Sequence, residues 1–296
     1  MSEASQPLLA HRSALRRVDW SAPAVCAIPV AVVAVMAWML GEIAWLGADK
    51  LSWTFLTEAP RNAGREGGIG PIIASTGLIV GICLATALPL AVATSVLIAE
   101  YLPAHSRTVR VMRTLLDVLA AVPSIVFGVF GYAFFALALG FGFSILSGGL
   151  TLATMILPIL IGSIEQSLRA VPLDMRIAGA GLGMTRPAVI ARVLLPLASP
   201  GILAGTLLGL GRALAETAAL VFTSGYVARM PESLLDSGRT LSIHVFDLSM
   251  NVPGGSGPAA GTTLLLVLLL LVLNGALLWL IAIWRRRTGM SFTLTP

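Results

Sequence analysis

Apolar residues in this chain do not recur at the spacing of one buried helix face. They are gathered into six long blocks, divided by polar or Gly/Pro-rich segments: about Ala24–Leu46, Ile72–Ala99, Leu115–Leu139, Gly149–Ile164, Gly201–Ser224 and Thr262–Ile283. A soluble helix needs an apolar stripe on one side only, whereas Thr262–Ile283 is apolar nearly all round and holds neither proline nor charge. About 20 such residues cross the roughly 30 Å hydrocarbon core of a bilayer. The pattern predicts an all-α integral membrane bundle of six spans. The fourth block is the shortest and Pro158 interrupts it, while Pro89 and Pro123 are expected to kink the second and third spans.

Basic residues set the orientation, because cytoplasmic loops are enriched in them. With both termini inside, the inner segments hold Arg12, Arg16 and Arg17; Arg107, Arg110 and Arg113; Arg169, Arg176, Arg186 and Arg192; and Arg285, Arg286 and Arg287. The outer segments hold only Lys50, Arg61, Arg65, Arg229 and Arg239. This asymmetry predicts an N-in, C-in topology. The chain then divides into an inner tail (1–23), a first span (24–46), an outer loop (47–70), a core (71–285) with a long inner loop at about 165–199, and an inner tail (286–296). The first apolar block has no clear cleavage site after it and reads as a retained span. Residues 240–250 of the outer loop alternate weakly and fit a short helix or a strand.

Composition agrees. Charged residues make up 11% of the chain and hydrophobic ones 57%, against about 25% charged in globular domains. The net charge of +5 does not point to nucleic acid, because the basic residues are scattered at the edges of apolar blocks. Cys26 and Cys83 lie inside such blocks and read as small buried hydrophobes. No His/Cys/acid cluster has metal-ligand spacing, and no nucleophile–base arrangement is readable, so neither a metal site nor catalytic residues are expected.

The inner loop carries a local logic. Pro172 suits the first turn of a helix, with Asp174 at its positive dipole end. Gly183 can adopt the left-handed conformation that ends it. Thr185 can cap a second helix with Pro187 in its first turn, and Pro196 is expected to end that helix. The loop thus predicts a helix–turn–helix of small residues. Gly179, Gly181 and Gly183 do not make a phosphate loop, since no strand precedes them and no Lys-Ser/Thr follows.

In the fifth block Arg212 and Glu216 stand at i and i+4, which places them about 40° apart on one helical face near mid-membrane. Charges there are costly and should face the bundle interior or a water-filled path. Chemistry leaves two readings open: an internal salt bridge that fixes register, or an anion contact in which Arg212 holds an oxyanion through forked hydrogen bonds and Glu216 positions it.

Two sets of residues bear a family resemblance. In the inner loop, Ala178, Gly179, Gly183, Ile190, Val193, Leu195 and Pro196 resemble the cytoplasmic coupling loop of ABC-importer permeases: Glu-Ala-Ala, a Gly four residues on, then Ile-x-x-Val-x-Leu-Pro. The departure is Ile177, which occupies the Glu position. Gly211-Arg-Ala-Leu-Ala-Glu-Thr-Ala-Ala-Leu220 is similar to the Arg-Ala-x-x-Glu-Thr-Ala motif of phosphate ABC-transporter permeases. Ala121–Gly131, Gly67–Pro71 and Thr240–Phe246 resemble further segments of that family, the last of them typical of its PstA-type subunit.

The resemblance implies a type I ABC-importer bundle in the bacterial plasma membrane, one subunit of a phosphate importer. Its implied partners are a homologous PstC-type permease, two ATPase subunits, a phosphate-binding protein, phosphate and lipid. The chain itself would bind no nucleotide or other cofactor, ATP being used by the ATPase. Arg212, Glu216, Thr217 and Ser124 would belong to the substrate path. Asp174, Arg176, Ile177, Ala178, Gly179, Gly183 and Pro196 would belong to the coupling loop. A permease for another oxyanion (phosphonate, sulfate or molybdate), an ion-driven carrier and a structural subunit are the alternatives. Ser124 either satisfies a carbonyl freed by Pro123 or lines the path. Gly205 and Gly209 form a small-xxx-small face for close helix packing. Glu42, Glu100, Asp117 and Glu165, near span ends, are expected to be solvated at the interface, and His244 to be a surface residue.

Overall fold

The computed structural model describes residues 21–288. The tail arginines Arg12, Arg16 and Arg17, and the side chains of Cys26 and Arg285–Arg287, lie outside that description. Helix α1 (Ser21–Ala48) carries a first unit that ends at Trp45, and all later elements belong to a second unit beginning at Leu46. Among the described residues five helices are long and apolar enough to cross a bilayer, and a bent pair makes a sixth candidate.

After α1 come a short helix α2 (Trp53–Thr57) and a two-stranded hairpin of β1 (Pro60–Arg61) and β2 (Glu66–Gly67). Helix α3 (Gly70–Val96) continues through a π-helical stretch, Leu97–Tyr101. Then follow α4 (Arg107–Ala121), α5 (Ser124–Gly131) with its π-helical extension Tyr132–Ala138, and α6 (Ile145–Arg169). The inner loop forms α7 (Leu173–Gly181) and α8 (Arg186–Val189), and α8 leads through the π-helical Ile190–Leu194 into α9 (Leu195–Ala215). The chain closes with α10 (Ala218–Val221), α11 (Leu241–Met250) and α12 (Ser256–Thr288).

Helix α6 is the centre of the second unit. Its Leu152, Ile156, Leu160, Ile164 and Leu168 are fully buried, with α3 against one side and α9 against another. Lipid tails are as apolar as leucine, so helices in a bilayer gain little from hydrophobic burial and associate through close packing. The glycines show this directly. A Cβ on Gly201 would fall 2.0 Å from Ser167 Oγ, and one on Gly205 2.3 Å from Ser163 Oγ. Gly149 of α6 similarly admits Ile82 of α3. The small-residue face read from Gly205 and Gly209 is the α6–α9 contact.

Several boundaries differ from the sequence reading. The third block, Leu115–Leu139, is not one helix: it breaks at Val122–Pro123, and its two halves meet at 97°. Proline disfavours a helical residue before it, and Val122 is extended (ψ 130°). Helix α4 then presents Val109, Met112, Leu116 and Leu119, a single helical stripe, to the core. Pro158 does not shorten the fourth span, since α6 runs for 25 residues around it. Nor does Pro196 end a helix. Helical backbone runs from Arg186 to Ala215, and the wider π turns of Ile190–Leu194 absorb the missing N–H.

The outer segment after α10 is tied to the hairpin before α3. Residues 240–250, open between helix and strand in sequence, form α11, with Thr240 Oγ1 accepting from Ile243 N at its start. His244 is a correction: it is 1% exposed, not a surface residue. It packs against the hairpin turn, where a Cβ on Gly64 (φ 86°) would fall 2.9 Å from its Cε1. Arg239 Nη1 lies 3.3 Å from His244 Nδ1 and 2.9 Å from Asp247 Oδ2. Arginine only donates, so Nδ1 accepts and the ring proton sits on Nε2, which has no partner among the described residues. Burial, with Arg239 beside the ring, pushes the His244 pKa down to about 4, and Asp247 opposes this only in part.

Two predictions follow from this packing. Gly205→Leu should destabilise the α6–α9 contact by about 1–3 kcal/mol, lowering the thermal-unfolding midpoint in detergent, whereas Gly77→Ala, in open space on α3, should not. For His244 the folded state refuses a proton that the unfolded chain accepts. Its contribution is therefore constant above pH ~6.5 and is lost as pH falls toward about 4. Unfolding midpoints at pH 7.5 and 5.0 should differ more for the wild type than for His244→Gln.

Candidate functional site

The fifth span does not continue through its charged pair. Helix α9 stops at Ala215. Glu216 is extended (φ −75°, ψ 128°), and Thr217 (φ −119°, ψ −50°) opens the single turn of α10. Inside a bilayer each backbone group freed by such a break needs a partner within the protein. Ser242 Oγ donates to Glu216 O at 2.6 Å, and Glu216 Oε1 accepts from Ala219 N at 3.3 Å. The Glu216 side chain thereby caps α10 and is 9% exposed. Helix α5 reaches the same place: a Cβ on Gly128 would stand 2.9 Å from Ala219 Cα.

Arg212 is in the last turn of α9, where the negative end of the helix dipole favours a cation. It makes no ion pair with Glu216 and no hydrogen bond among the described residues, and its side chain is exposed. The internal salt bridge that the i, i+4 spacing allowed is therefore not formed, because the backbone turns away from the helix at Glu216. Instead Arg212 and Glu216, with Ile159, Leu208 and Ala215, line an open concavity of about 480 Å³. Thr217 is half-buried beside it. Ser124 opens α5 and is half-buried, and its hydroxyl bonds no carbonyl among the described residues.

The inner loop folds as a tight helix–turn–helix. Gly183 takes φ 72°, Gly183 N bonds Ala180 O at 3.0 Å and Met184 N bonds Gly179 O at 3.2 Å. Gly179 is buried against Val189, the contact that closes the hairpin. Thr185 is the cap residue of α8, though its side chain accepts no hydrogen bond there. Asp174 lies in the first turn of α7. Leu173, Ile177 and Leu182 are exposed at 65%, 58% and 81%, so the free face of the hairpin carries large apolar side chains beside the exposed Asp174.

The chain matches the family model described as binding-protein-dependent transport system inner membrane component over residues 91–289. It belongs to this family. The permease is 31% identical over 264 residues to a probable ABC transporter permease protein, YqgI, of Bacillus subtilis, covering 84% of this chain and 90% of that one. It is 30% identical to a phosphate transport system permease protein, PstA 2, of Mycobacterium bovis (77% and 74% covered), and 35% identical to PstA of Xylella fastidiosa (60% and 61%). Its structure is similar to the MetNI methionine ABC transporter in an inward-facing conformation, with a TM-score of 0.58 and 18% identity over 73% of this chain and 94% of that one. The fold is that of a type I ABC-importer permease, and the chain is a multi-pass inner-membrane protein.

Two acidic residues of the permease were misjudged from sequence. Glu165 and Glu100 are not solvated at an interface. Glu165 Oε1 accepts from Arg169 Nε at 2.8 Å and from Arg113 Nη2, and Glu100 Oε1 accepts from Arg176 Nη2 at 2.8 Å. Both carboxylates are 9% exposed. Their partners lie up to 76 residues away, beyond any local pattern; only the Glu165–Arg169 spacing of four was visible. Asp117 does remain exposed, beside a 310 Å³ recess that also borders Arg113 and Glu165. Ser242, which holds the broken span, carried no sequence signal beyond its place in the outer-loop motif.

The break can be tested at Ser242. Ser242→Ala leaves Glu216 O, in a buried residue, without its donor, which should cost about 1–3 kcal/mol. A lowered unfolding midpoint of the purified protein, with Ser242→Thr close to wild type, is the expected result.

Proposed function

We propose that this permease is the PstA-type transmembrane subunit of an ATP-driven phosphate importer. The observation that carries the reading is Arg212: an exposed guanidinium, free of internal partners among the described residues, beside a helix break on a span wall. A buried or bilayer-depth break with polar groups is tolerated where it lines a cavity, and transporters build substrate sites on such discontinuous helices. A guanidinium stays charged and presents a planar fork of donors that matches phosphate oxygens. Glu216, held in its capping role, adds negative charge nearby without neutralising Arg212 by direct contact, which favours an anion that must bind and then leave.

The PstA relatives support phosphate as the cargo. In this reading a PstC-type permease completes the pore, two ATPase chains dock on the α7–α8 hairpins of the two permeases, and a phosphate-binding protein delivers cargo at the outer face. This chain binds no nucleotide, and ATP acts on it mechanically. A second reading, a permease for another oxyanion, is favoured by one fact: the YqgI relative is described only as an ABC transporter permease. The same Arg212 chemistry serves sulfate or molybdate.

Arg212→Ala in the whole complex should lower phosphate uptake by about tenfold or more, the worth of a charged hydrogen bond, while the other subunits still co-purify. Arg212→Lys should retain part of the activity. Loss of assembly in Arg212→Ala would assign the residue a structural role. Uptake inhibited by sulfate or molybdate but not by excess phosphate would replace the cargo.

A further inference from the structure

We propose that α3 is the lever through which the α7–α8 hairpin acts on the broken span, and that the Arg176–Glu100 pair is its grip. The proposal rests on reading that hairpin as the ATPase dock.

Three guanidinium groups from three elements converge on the inner end of α3. Arg176 of α7 donates to Glu100 at 2.8 Å. Arg186 of α8 lies over the Tyr101 ring, 4.9 Å from its centroid. Arg169 of α6 donates to Ile98 O at 3.2 Å. The last contact depends on the π-helical register of Leu97–Tyr101. In an α-helix Leu102 N would bond Ile98 O, but here it bonds Leu97 O at 3.1 Å, which frees Ile98 O for Arg169. Arg176 also donates to Val171 O and to Leu168 O, both at 2.8 Å, so its guanidinium is fixed between the end of α6 and α3. Next to it, Ile177 points outward and carries no charge. Arg176 and Arg186 of the hairpin are thus directed at α3, while Ile177 and Leu182 stand on its free face.

The other end of the same helix touches the site. Leu241 N donates to Thr76 Oγ1 of α3 at 3.0 Å, and the neighbouring Ser242 holds Glu216 O. Helical backbone from Gly70 to Tyr101 is 32 residues long, about 48 Å at 1.5 Å per residue. A tilt of about 10° around its middle moves each end by roughly 4 Å. Displacement of the hairpin therefore reaches α11, and through it the break at Glu216, along one continuous helix.

The test uses the whole complex, with Cys26 and Cys83 replaced by alanine and spin labels on Gly77→Cys and Leu208→Cys. It compares the nucleotide-free and the vanadate-trapped states. Gly77 stands about 13 Å from the middle of that helix, so the wild-type background should show a distance change on the order of 2 Å. Glu100→Gln and Arg176→Gln should abolish it while the ATPase still co-purifies and hydrolyses ATP, and Arg176→Lys, which keeps the charge, should retain part of it. An unchanged distance shift in both glutamine variants would overturn the lever, as would a wild type that shows none. Equal loss of the ATPase from Glu100→Gln would also overturn it, by making the pair part of the dock. Leu182→Asp, at the exposed tip, should release the ATPase. Its retention would remove the docking reading, and the proposal with it, without bearing on Arg212.

Discussion

A chain that crosses a bilayer must satisfy its own backbone, since hydrocarbon offers no hydrogen bonds. The candidate site of this permease exists because that rule is met at one interruption. At Glu216 the backbone leaves the helix, and Ser242 Oγ and the Ala219 N–H supply the two bonds that keep the break closed. Removing the helical register separates Arg212 from Glu216. One charge is folded back onto the protein as a cap and the other is left facing an open recess. Had α9 simply continued, i, i+4 geometry would have allowed the two to pair.

The same rule explains why α6 is so buried and so rich in small neighbours. Close approach, with serine hydroxyls set against glycines, takes the place of hydrophobic burial as the source of association. The close-packed α3–α6–α9 layer that results gives the outer hairpin and α11 something to lean on. His244 and Gly64 join there in a contact that only a residue without a Cβ permits.

Much of this was legible in the chain. The six apolar blocks, the left-handed Gly183, the glycine face of α9 and the motif around Arg212 are local patterns, and local periodicity reports them. What was missed is non-local or needs backbone direction. Glu100 and Glu165 looked like span-end carboxylates because Arg176 and Arg113 are distant in sequence, and the one near partner, Arg169, does not by itself reveal burial. His244 looked exposed because the turn that covers it lies some 180 residues earlier. The break at Glu216 was invisible, since a polar pair four residues apart reads identically in a continuous helix. Pro123 did mark a bend, but its angle of 97° follows from α4 folding back onto α6. Pro158 and Pro196 show the opposite case, in which surrounding packing and π turns carry a helix through.

The exposed guanidinium of Arg212 also bears on how such a subunit is made. An isolated copy in the membrane would set a permanent charge against lipid, at a cost of about 3 kcal/mol on insertion scales and more in simulation. Synthesis of the chain without a companion to cover that wall would leave an ill-tolerated orphan. In the proposed assembly a second permease covers that wall, and matched production with prompt pairing of the two would spare the chain that exposure.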